Sequence, residues 1–342
     1  MSITDYCNCP NCGKSELTAT STMWICASCR SEFSCHHGIP GLYIENQVSL
    51  HDRSLRDKFY DGVFGVWYSF MMPFIVLPVR PVSMAITHWA LLLALLFGVP
   101  ALVFMVYLYW HGYHSIQAVT ATIPLAMLTI FLFKQKYLFY LIVLAIPVKI
   151  SLSINKYIPK ASFSDVHTKF IDVIRESSTT KLRILDVSTG SCNSLYKHGW
   201  MELDASYTGV DLSGTMLRKG QELMSDRKIP VDLILGDAMR LPFASNTFDV
   251  VLNYGAINGM AEPAKALSEM VRVAKPGGRI LFLDEQMYVQ ASAVEKLYFN
   301  KVLSGHNVIH HCPVEFLPNN VADVEVSQIY EFYYICTARK TH

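Results

Sequence analysis

The sequence predicts an α/β fold with a Rossmann-like, mainly parallel sheet, preceded by a small cysteine-rich module and an apolar helical hairpin. Three observations support this prediction. Short apolar runs alternate with helix-length segments over residues 165–342, and two C-x-x-C pairs lie near the start of the chain. In addition, residues 81–133 contain no Asp, Glu, Lys or Arg. The chain of 342 residues is long enough for about two ordinary domains.

The cysteine-rich module is predicted over residues 1–46. Cys9 and Cys12 form one C-x-x-C pair, and Cys26 and Cys29 form the other. This spacing is typical of a zinc ribbon, in which four thiolates stabilise a segment too small to fold on a hydrophobic core alone. A closed four-ligand shell makes the predicted zinc structural. Other donors lie nearby in the sequence, namely Cys7, Cys35, His36 and His37. The competing interpretation is a disulfide framework.

The charge-free region predicts a transmembrane hairpin over residues 81–136. Its two spans, 88–110 and 115–133, are close to the roughly 20 residues that cross a hydrocarbon layer as a helix. A composition that is 51% hydrophobic and only 17% charged agrees with this interpretation. The alternative is a buried helical hairpin in a soluble protein.

Charges beside the spans predict an orientation. Arg80 precedes the first span, and Lys134 and Lys136 follow the second, so the positive-inside rule places both ends in the cytoplasm. We therefore expect an integral membrane protein with the cysteine module and the sheet domain on the cytoplasmic side of the bilayer. Residues 47–80 are predicted as substrate-side or interfacial helices and 137–164 as an interfacial helix and linker, although a four-span arrangement is also possible.

The sheet domain is predicted over residues 165–342. Helices are expected at 214–226 and 262–274, between apolar runs suited to strands. The strand candidates are residues 182–187, 207–210, 231–235, 248–253 and 279–283, with a long C-terminal strand in "VSQIYEFYYICTAR" and an apparent sixth strand that carries His310 and His311. Parallel sheets bind ligands at the carboxyl ends of their strands.

Small and acidic residues follow the predicted strands at that edge. Asp186 ends the first strand and is followed by Ser188 and Gly190, which let a ligand lie against the backbone. Asp211 ends the second strand, where a carboxylate can accept both hydroxyls of a ribose. Asp237 follows the third strand, where a short acidic side chain can read an exocyclic amine. These positions predict a site for a nucleoside-containing cofactor.

The sheet domain resembles the class I S-adenosylmethionine-dependent methyltransferases, in particular those that methylate ubiquinone and menaquinone precursors. The most specific strings are "GDAMRLPFASNTFDVVLNYGAING" and "ALSEMVRVAKPGGRILFLDE", and the resemblance covers about residues 165–340. Upstream, "LRDKFYDGVFGVWYS" resembles the family's N-terminal substrate-side helix. The resemblance implies S-adenosylmethionine as cofactor. It places Asp186 and Gly190 at the amino-acid end, Asp211 at the ribose, and Asp237 with Ala238 at the adenine.

The full cofactor-binding set that the resemblance implies is Asp186, Ser188, Gly190, Asp211, Leu212, Asp237, Ala238 and Asn253. One departure concerns the loop, since the family's G-x-G-x-G arrangement keeps only its central Gly190, with Ser188 and Cys192 at the outer positions. Non-glycine residues fit such positions where the backbone does not need a positive φ. We therefore expect the loop to bind cofactor.

Methyl transfer from a sulfonium requires alignment of the acceptor, and a carbon or oxygen acceptor also needs a base. Candidate catalytic residues are Tyr254, Asn258, Asp284 and His310, with Glu285 beside them. The predicted hairpin favours a membrane-soluble acceptor, either a lipid or a quinone precursor. The alternatives are an RNA or protein methyltransferase and an inactive membrane scaffold, although a net charge of +1 makes nucleic acid an improbable partner.

Overall fold

The computed structural model describes residues 3–62, 65, 76–78, 160–162, 170–175, 181–193, 195, 203–287, 289, 291, 296, 299–300, 307–329 and 332–342. The chain divides into two compact units, one formed by residues 1–77 and 161–342 and the other by residues 78–160. The first unit contains both the cysteine-rich module and the large sheet. Of the second unit, the structure describes only residues 78 and 160, at the ends of two short strands.

The cysteine-rich module is a small antiparallel sheet. Its strands, in the order β1-β2-β3-β4, are β1 (Leu17–Ala19), β2 (Met23–Cys26), β3 (Glu32–His36) and β4 (Ile39–Pro40). Short 3-10 helices lie at Ile3–Asp5 and Glu45–Gln47. Helix α1 (Leu50–Leu55) follows, continues as one π-helical turn over Arg56–Tyr60, and begins where the Ser49 side chain accepts the N–H of Asp52. Such a cap satisfies a donor that has no partner inside the helix.

A seven-stranded sheet forms the centre of the unit. Its strands are β7 (Leu182–Val187), β8 (Ala205–Asp211), β9 (Asp232–Leu235), β10 (Phe248–Tyr254), β11 (Ala274–Glu285), β12 (Val321–Ile329) and β13 (Tyr333–Lys340). The order is β12-β13-β11-β10-β7-β8-β9. Two further strands, β5 (Val76–Pro78) and β6 (Lys160–Ser162), form a separate two-stranded sheet. The predicted strand positions along β7 to β11 are confirmed.

The C-terminal part of the sheet differs from the prediction. Strands β7 to β11 pair in parallel, whereas β13 pairs antiparallel with both β11 and β12. The predicted single C-terminal strand is wrong, because the segment folds back on itself as two strands. In a sequence, two apolar runs separated by a short break are compatible with one long strand and also with a hairpin. Only the strand pairing distinguishes these two arrangements. His310 and His311 lie in a bend and not on the expected strand.

Two helices confirm the predicted α/β alternation. Helix α2 (Gly214–Asp226) begins where the side chain of Ser213 accepts the N–H of Met216. Helix α3 (Pro263–Val273) has proline in its first turn, where the missing N–H costs no hydrogen bond. Each helix buries an apolar stripe, which on α3 includes Leu267 and Met270. Residues of the module and of the sheet belong to one continuous hydrophobic core.

The predicted placement as an integral membrane protein is contradicted. Within the described ranges, no helix combines the length and the apolar character that a membrane crossing requires. The two predicted spans, 88–110 and 115–133, lie outside those ranges, as do the segments 81–136 and almost all of 137–164. The prediction rested on hydropathy and flanking charges, which describe composition along the chain and do not report a helix directly.

Candidate cofactor site and metal centre

The turn after β7 is joined to the end of β8 by a direct hydrogen bond. The backbone N–H of Gly190 donates to Oδ2 of Asp211 over 2.8 Å, and the N–H of Ser213 donates to Oδ1 over 2.8 Å. Asp211 thus holds the turn and the start of α2 in one arrangement. Burial raises the pKa of Asp211 to about 6, and the nearby Asp61 carboxylate adds to this effect.

Asp186 lies at the carboxyl end of β7, pointing into the same region. It is buried, and its Oδ2 accepts a hydrogen bond of 2.8 Å from the hydroxyl of Thr189. The side chain of Thr189 packs closely on β8, since a Cβ on Gly209 would lie 2.7 Å from Cγ2 of Thr189. The sequence predicted this meeting of Asp186, Gly190 and Asp211 at one sheet edge, and the structure brings the three together.

The outer positions of the turn behave differently from the expectation. Ser188 has φ +61° and Cys192 has φ +57°, both in the left-handed region, as does Gly190 at +57°. The condition under which serine and cysteine fit these positions without strain, a backbone that does not need a positive φ, is therefore not met. A non-glycine residue with this φ is strained by about 1–2 kcal/mol, because its Cβ approaches the following carbonyl. The turn keeps the glycine-type conformation without the glycines.

The bulk of Cys192 is matched by a glycine on the facing helix. Cys192 is fully buried, and a Cβ on Gly220 of α2 would lie only 2.7 Å from its Sγ. The helix therefore approaches the turn at a residue that has no side chain. Burial also raises the pKa of the Cys192 thiol to about 12, so it is neutral at physiological pH.

Residues after β9 form the next part of the edge. Asp237 is buried, and its Oδ1 accepts the N–H of Met239 over 2.9 Å, which caps the 3-10 helix at Ala238–Arg240. Burial raises the pKa of Asp237. The N–H of Gly236 donates to the carbonyl of Asp211 over 2.9 Å. The predicted adenine side, Asp237 and Ala238, is thus tied to the predicted ribose side.

Asn253 joins the middle strands at the same edge. Its Nδ2 donates to the carbonyl of Val187 over 2.8 Å, and its Oδ1 accepts the N–H of Ile257 over 3.1 Å. Tyr254 follows, with its ring edge-on to Phe170 at a centroid distance of 4.8 Å. Burial and the charge of Asp186 raise the pKa of Tyr254. Asn253 therefore fixes the loop that follows β10.

A coupled acidic pair ends β11. Oδ2 of Asp284 accepts the N–H of Asn258 over 2.8 Å, and Oε2 of Glu285 accepts from Nδ2 of Asn307 over 2.8 Å. Burial raises the pKa of both carboxyls, and the neighbouring Asp284 raises that of Glu285 further. The Asn258 side chain is itself engaged, with Nδ2 donating to the Glu285 carbonyl and Oδ1 accepting from the Tyr334 hydroxyl.

Two residues before the predicted hairpin also belong to the edge, and sequence reasoning did not select them. Asp61 Oδ1 accepts from the hydroxyl of Ser213 over 2.6 Å and from the N–H of Thr215 over 3.1 Å, at the start of α2. Burial raises the pKa of Tyr60, and the charges of the nearby Asp211, Glu285 and Asp284 raise it further. The signal was present in the "FYD" of the upstream string. By contrast, His310 is exposed and stacks edge-on to Phe299.

The four predicted zinc ligands come together in the cysteine-rich module. The Sγ atoms of Cys9 and Cys29 are 3.6 Å apart, as are those of Cys12 and Cys26, and all four lie within 4.8 Å of one another. Four thiolates about 2.3 Å from a tetrahedral zinc would be separated by about 3.8 Å. The observed spacing therefore fits a metal ion at the centre of the cluster.

The remaining predicted donors are not part of this cluster. Cys7 is fully buried and pairs through its backbone with Phe243. His36 and His37 lie at the turn between β3 and β4, beside the start of α2. The described cysteines are all free thiols, which argues against the disulfide framework considered from the sequence. Among the described residues, the four-cysteine group is the one candidate metal cluster.

Comparison with known proteins agrees with this geometry. Residues 185–282 match the family model described as "Methyltransferase domain". A demethylmenaquinone methyltransferase of Renibacterium salmoninarum is 40% identical over 99 residues, which cover 29% of this chain and 39% of the relative. A ubiquinone/menaquinone biosynthesis C-methyltransferase of a Ruegeria species is 35% identical over 118 residues, 34% of this chain and 47% of the relative. The chain therefore contains a methyltransferase domain.

These matches cover limited parts of the molecules. The chain spans less than half the length of the two curated relatives. Among solved structures, phosphoethanolamine N-methyltransferase 2 of Haemonchus contortus is 17% identical with a TM-score of 0.39, covering 51% of this chain and 52% of that chain.

Proposed function

We propose that this protein transfers a methyl group from S-adenosylmethionine to a quinone-type or other lipid acceptor. The observation that carries the proposal is the hydrogen bond between Gly190 and Asp211, inside the segment that matches a methyltransferase domain. A backbone turn after one strand and a carboxylate at the end of the next are the groups that commonly bind a nucleoside cofactor in parallel α/β sheets, which supports the proposal. The acceptor class is supported by relatives named for demethylmenaquinone and for ubiquinone and menaquinone biosynthesis.

The residues at the sheet edge suit the cofactor chemically. Each oxygen of Asp211 accepts one backbone N–H and, when ionised, has capacity left for ribose hydroxyls. Asp186 and Gly190 would hold the cofactor's amino-acid end, and Asp237 with Ala238 the adenine. The backbone of Ser188 and the side chains of Leu212 and Asn253 complete the proposed set. The cofactor supplies an activated methyl group on a sulfonium.

On the acceptor side, the chain's task is to align the acceptor and manage one proton. Glu285 and Asp284 form the proposed proton-handling pair, because a carboxyl with a raised pKa accepts a proton readily once it is ionised. Tyr254 would line the acceptor's position, and Asn258 would orient the pair through its hydrogen bonds. The exposed His310 takes no part in this mechanism.

We propose zinc as the metal of the four-cysteine cluster, in a structural role. The four thiols of Cys9, Cys12, Cys26 and Cys29 would complete a tetrahedral shell and leave no open position for chemistry. A small four-stranded module of this size has too few apolar residues to form a stable core of its own, so a metal cross-link would stabilise its fold.

The test is a transfer assay with the full-length purified protein. Methyl-labelled S-adenosylmethionine is incubated with a demethylated prenyl naphthoquinol, and the label is counted in organic, aqueous and protein fractions. We expect label in the organic phase. Asp211→Ala should abolish the transfer, while the matched control Asp226→Ala, at the exposed end of α2, should keep it.

Each other outcome contradicts a part of the proposal. If the label appears only in protein, or only on RNA added to a parallel reaction, the acceptor is a protein or an RNA and the proposed lipid class is wrong. No label together with no binding of S-adenosylhomocysteine would leave the inactive scaffold as the better explanation. Organic-phase label that survives Asp211→Ala would show that the cofactor lies elsewhere.

A further inference from the structure

We infer that the metal-bound cysteine module is a structural layer of the methyltransferase domain, so that loss of the metal weakens both the central sheet and cofactor binding. The stability part of this inference needs only the metal centre. The cofactor part rests on the proposed function.

The connection from β9 to β10, all of which the structure describes, contains no α-helix that could cover β8 and β9 on its side of the sheet. Residues 236–247 make this crossover, and they contain one 3-10 turn, Ala238–Arg240. Parallel strands are normally joined by a crossover helix that covers the sheet, and parallel sheets are buried on both faces. The apolar residues on β8 and β9, including Val210 and Ile234, therefore need another cover. Both are 1% exposed or less.

The cysteine module provides that cover through its first residues. The hydroxyl of Tyr6 donates to Oδ2 of Asp232 over 3.1 Å and lies 3.2 Å from Oγ1 of Thr208, so it contacts β9 and β8 together. The Tyr6 ring packs against Phe243 at 6.2 Å and edge-on to Phe248 at 5.8 Å. The guanidinium of Arg183 lies 5.8 Å from the ring centre.

Backbone bonds attach the same segment to the crossover. The N–H of Asn8 donates to the carbonyl of Pro242 over 2.9 Å, and the N–H of Ala244 donates to the carbonyl of Tyr6 over 2.9 Å. Together they form an antiparallel bridge between Cys7 and Phe243. The crossover is thus held as a short strand pair with the module, in place of a helix of its own.

The metal ligands lie inside this shared core. Cys9 is 1% exposed and Cys26 is fully buried, in the same hydrophobic cluster as Val210 and Ile234. Apolar module residues Trp24, Phe33 and Leu42 belong to that cluster as well. A metal bound by Cys9 and Cys26 would therefore hold in place side chains that belong to the core of the methyltransferase sheet. Its effect would not be limited to the cysteine module.

Two connections lead from the module to the cofactor edge. Gly41 pairs with Leu235, the last residue of β9, two residues before the proposed adenine-binding Asp237. Further along, Glu45 accepts two hydrogen bonds of 2.8 and 2.9 Å from Arg56, on the turn that leads to Asp61. Asp61 in turn holds the start of α2 next to Asp211. Loss of the module's fold would loosen both sides of the cofactor site.

The test compares two serine variants of the full-length protein. Cys12 is an exposed member of the cluster, and Cys35 is a partly buried cysteine of the same module outside it. Metal content, thermal unfolding and S-adenosylhomocysteine affinity are measured for each. We expect Cys12→Ser, and chelation of the wild type, to remove the metal, lower Tm by at least about 5 °C and weaken binding about tenfold or more. Cys35→Ser should keep all three.

A second variant separates docking from metal binding. Tyr6→Phe removes the hydroxyl that contacts Thr208 and Asp232 and leaves all four cysteines of the cluster unchanged. We expect it to keep its metal and still lower Tm. If chelation removes the metal while Tm and affinity stay unchanged, or if no metal binds when Zn²⁺ is titrated, the inference is overturned. If the wild type binds no S-adenosylhomocysteine, the proposed function fails, and the Tm comparison still decides the structural claim.

Discussion

The Gly190 N–H and the Asp211 carboxylate are joined by a hydrogen bond of 2.8 Å, across the gap between the ends of β7 and β8. This bond means that the turn and the carboxylate are positioned by one another before any ligand arrives. When the groups of a site are already held in position, ligand binding loses less free energy to ordering them. Burial raises the pKa of the same carboxylate to about 6.

Cofactor affinity should therefore fall on acidification. Only ionised Asp211 can accept the ribose hydroxyls while it accepts Gly190 and Ser213, and its pKa is about 6. We expect the Kd for S-adenosylhomocysteine to rise as pH drops through about 6, when followed by calorimetry. Asp211→Asn should bind about 10–100-fold more weakly at neutral pH, because a charge-assisted hydrogen bond is lost. A Kd independent of pH in the wild type would contradict this role.

Ser188→Gly should stabilise the protein. Ser188 has φ +61°, so glycine removes about 1–2 kcal/mol of backbone strain and costs about 0.5–1 kcal/mol in unfolded-chain entropy. We expect a net gain of about 0.5–1 kcal/mol in the free energy of unfolding, measured with urea. The matched control is Gly190→Ala, which places a side chain at φ +57° and should destabilise. Equal effects of the two changes would show that the φ values are not the cause.

Gly220→Ala should be destabilising, and the loss should depend on Cys192. The added Cβ would lie 2.7 Å from the Cys192 Sγ, an overpacking that costs about 1–3 kcal/mol. Cys192→Ala removes the sulfur, so the double variant should recover part of that loss. Recovery should be incomplete, since the backbone carbon of Ser191 is also only 3.2 Å away. Strict additivity in a double-mutant cycle would rule out the contact.

Glu285→Gln should change the pH dependence of both stability and transfer. The folded-state pKa of Glu285 is raised well above 4.5, so the wild type loses stability as pH rises from about 4.5 towards that higher value. The glutamine variant should lose this slope in unfolding experiments. It should also transfer methyl groups more slowly, with a flatter pH–rate profile and an unchanged S-adenosylhomocysteine Kd. The same two measurements on Asn307→Asp, which removes the amide that donates a hydrogen bond to Glu285 and keeps the Glu285 carboxyl, are compared with those on Glu285→Gln.

Much of the fold follows from local pattern. The bounds of β7 and of α2 were predicted without error, because a short, mostly apolar run bounded by turn residues and an amphipathic period each indicate one element directly. The meeting of Asp186, Gly190 and Asp211 was also predictable, since parallel strands end at a common edge. The spacing of two C-x-x-C pairs likewise indicated which four of the cysteines form a cluster.

Other features depend on contacts between distant residues. The pairing of β13 with β11 and β12, the docking of Tyr6 on β8 and β9, and the placement of Asp61 at α2 join segments up to 226 residues apart. Ser188 and Cys192 adopt a positive φ against the preference of those residue types, in a turn where Cys192 packs against Gly220 of α2. Composition and periodicity describe each segment by itself, so they determined the elements and the cysteine cluster. Only the tertiary structure decided which surfaces those elements share, because packing and long-range hydrogen bonds exist only once the chain has folded.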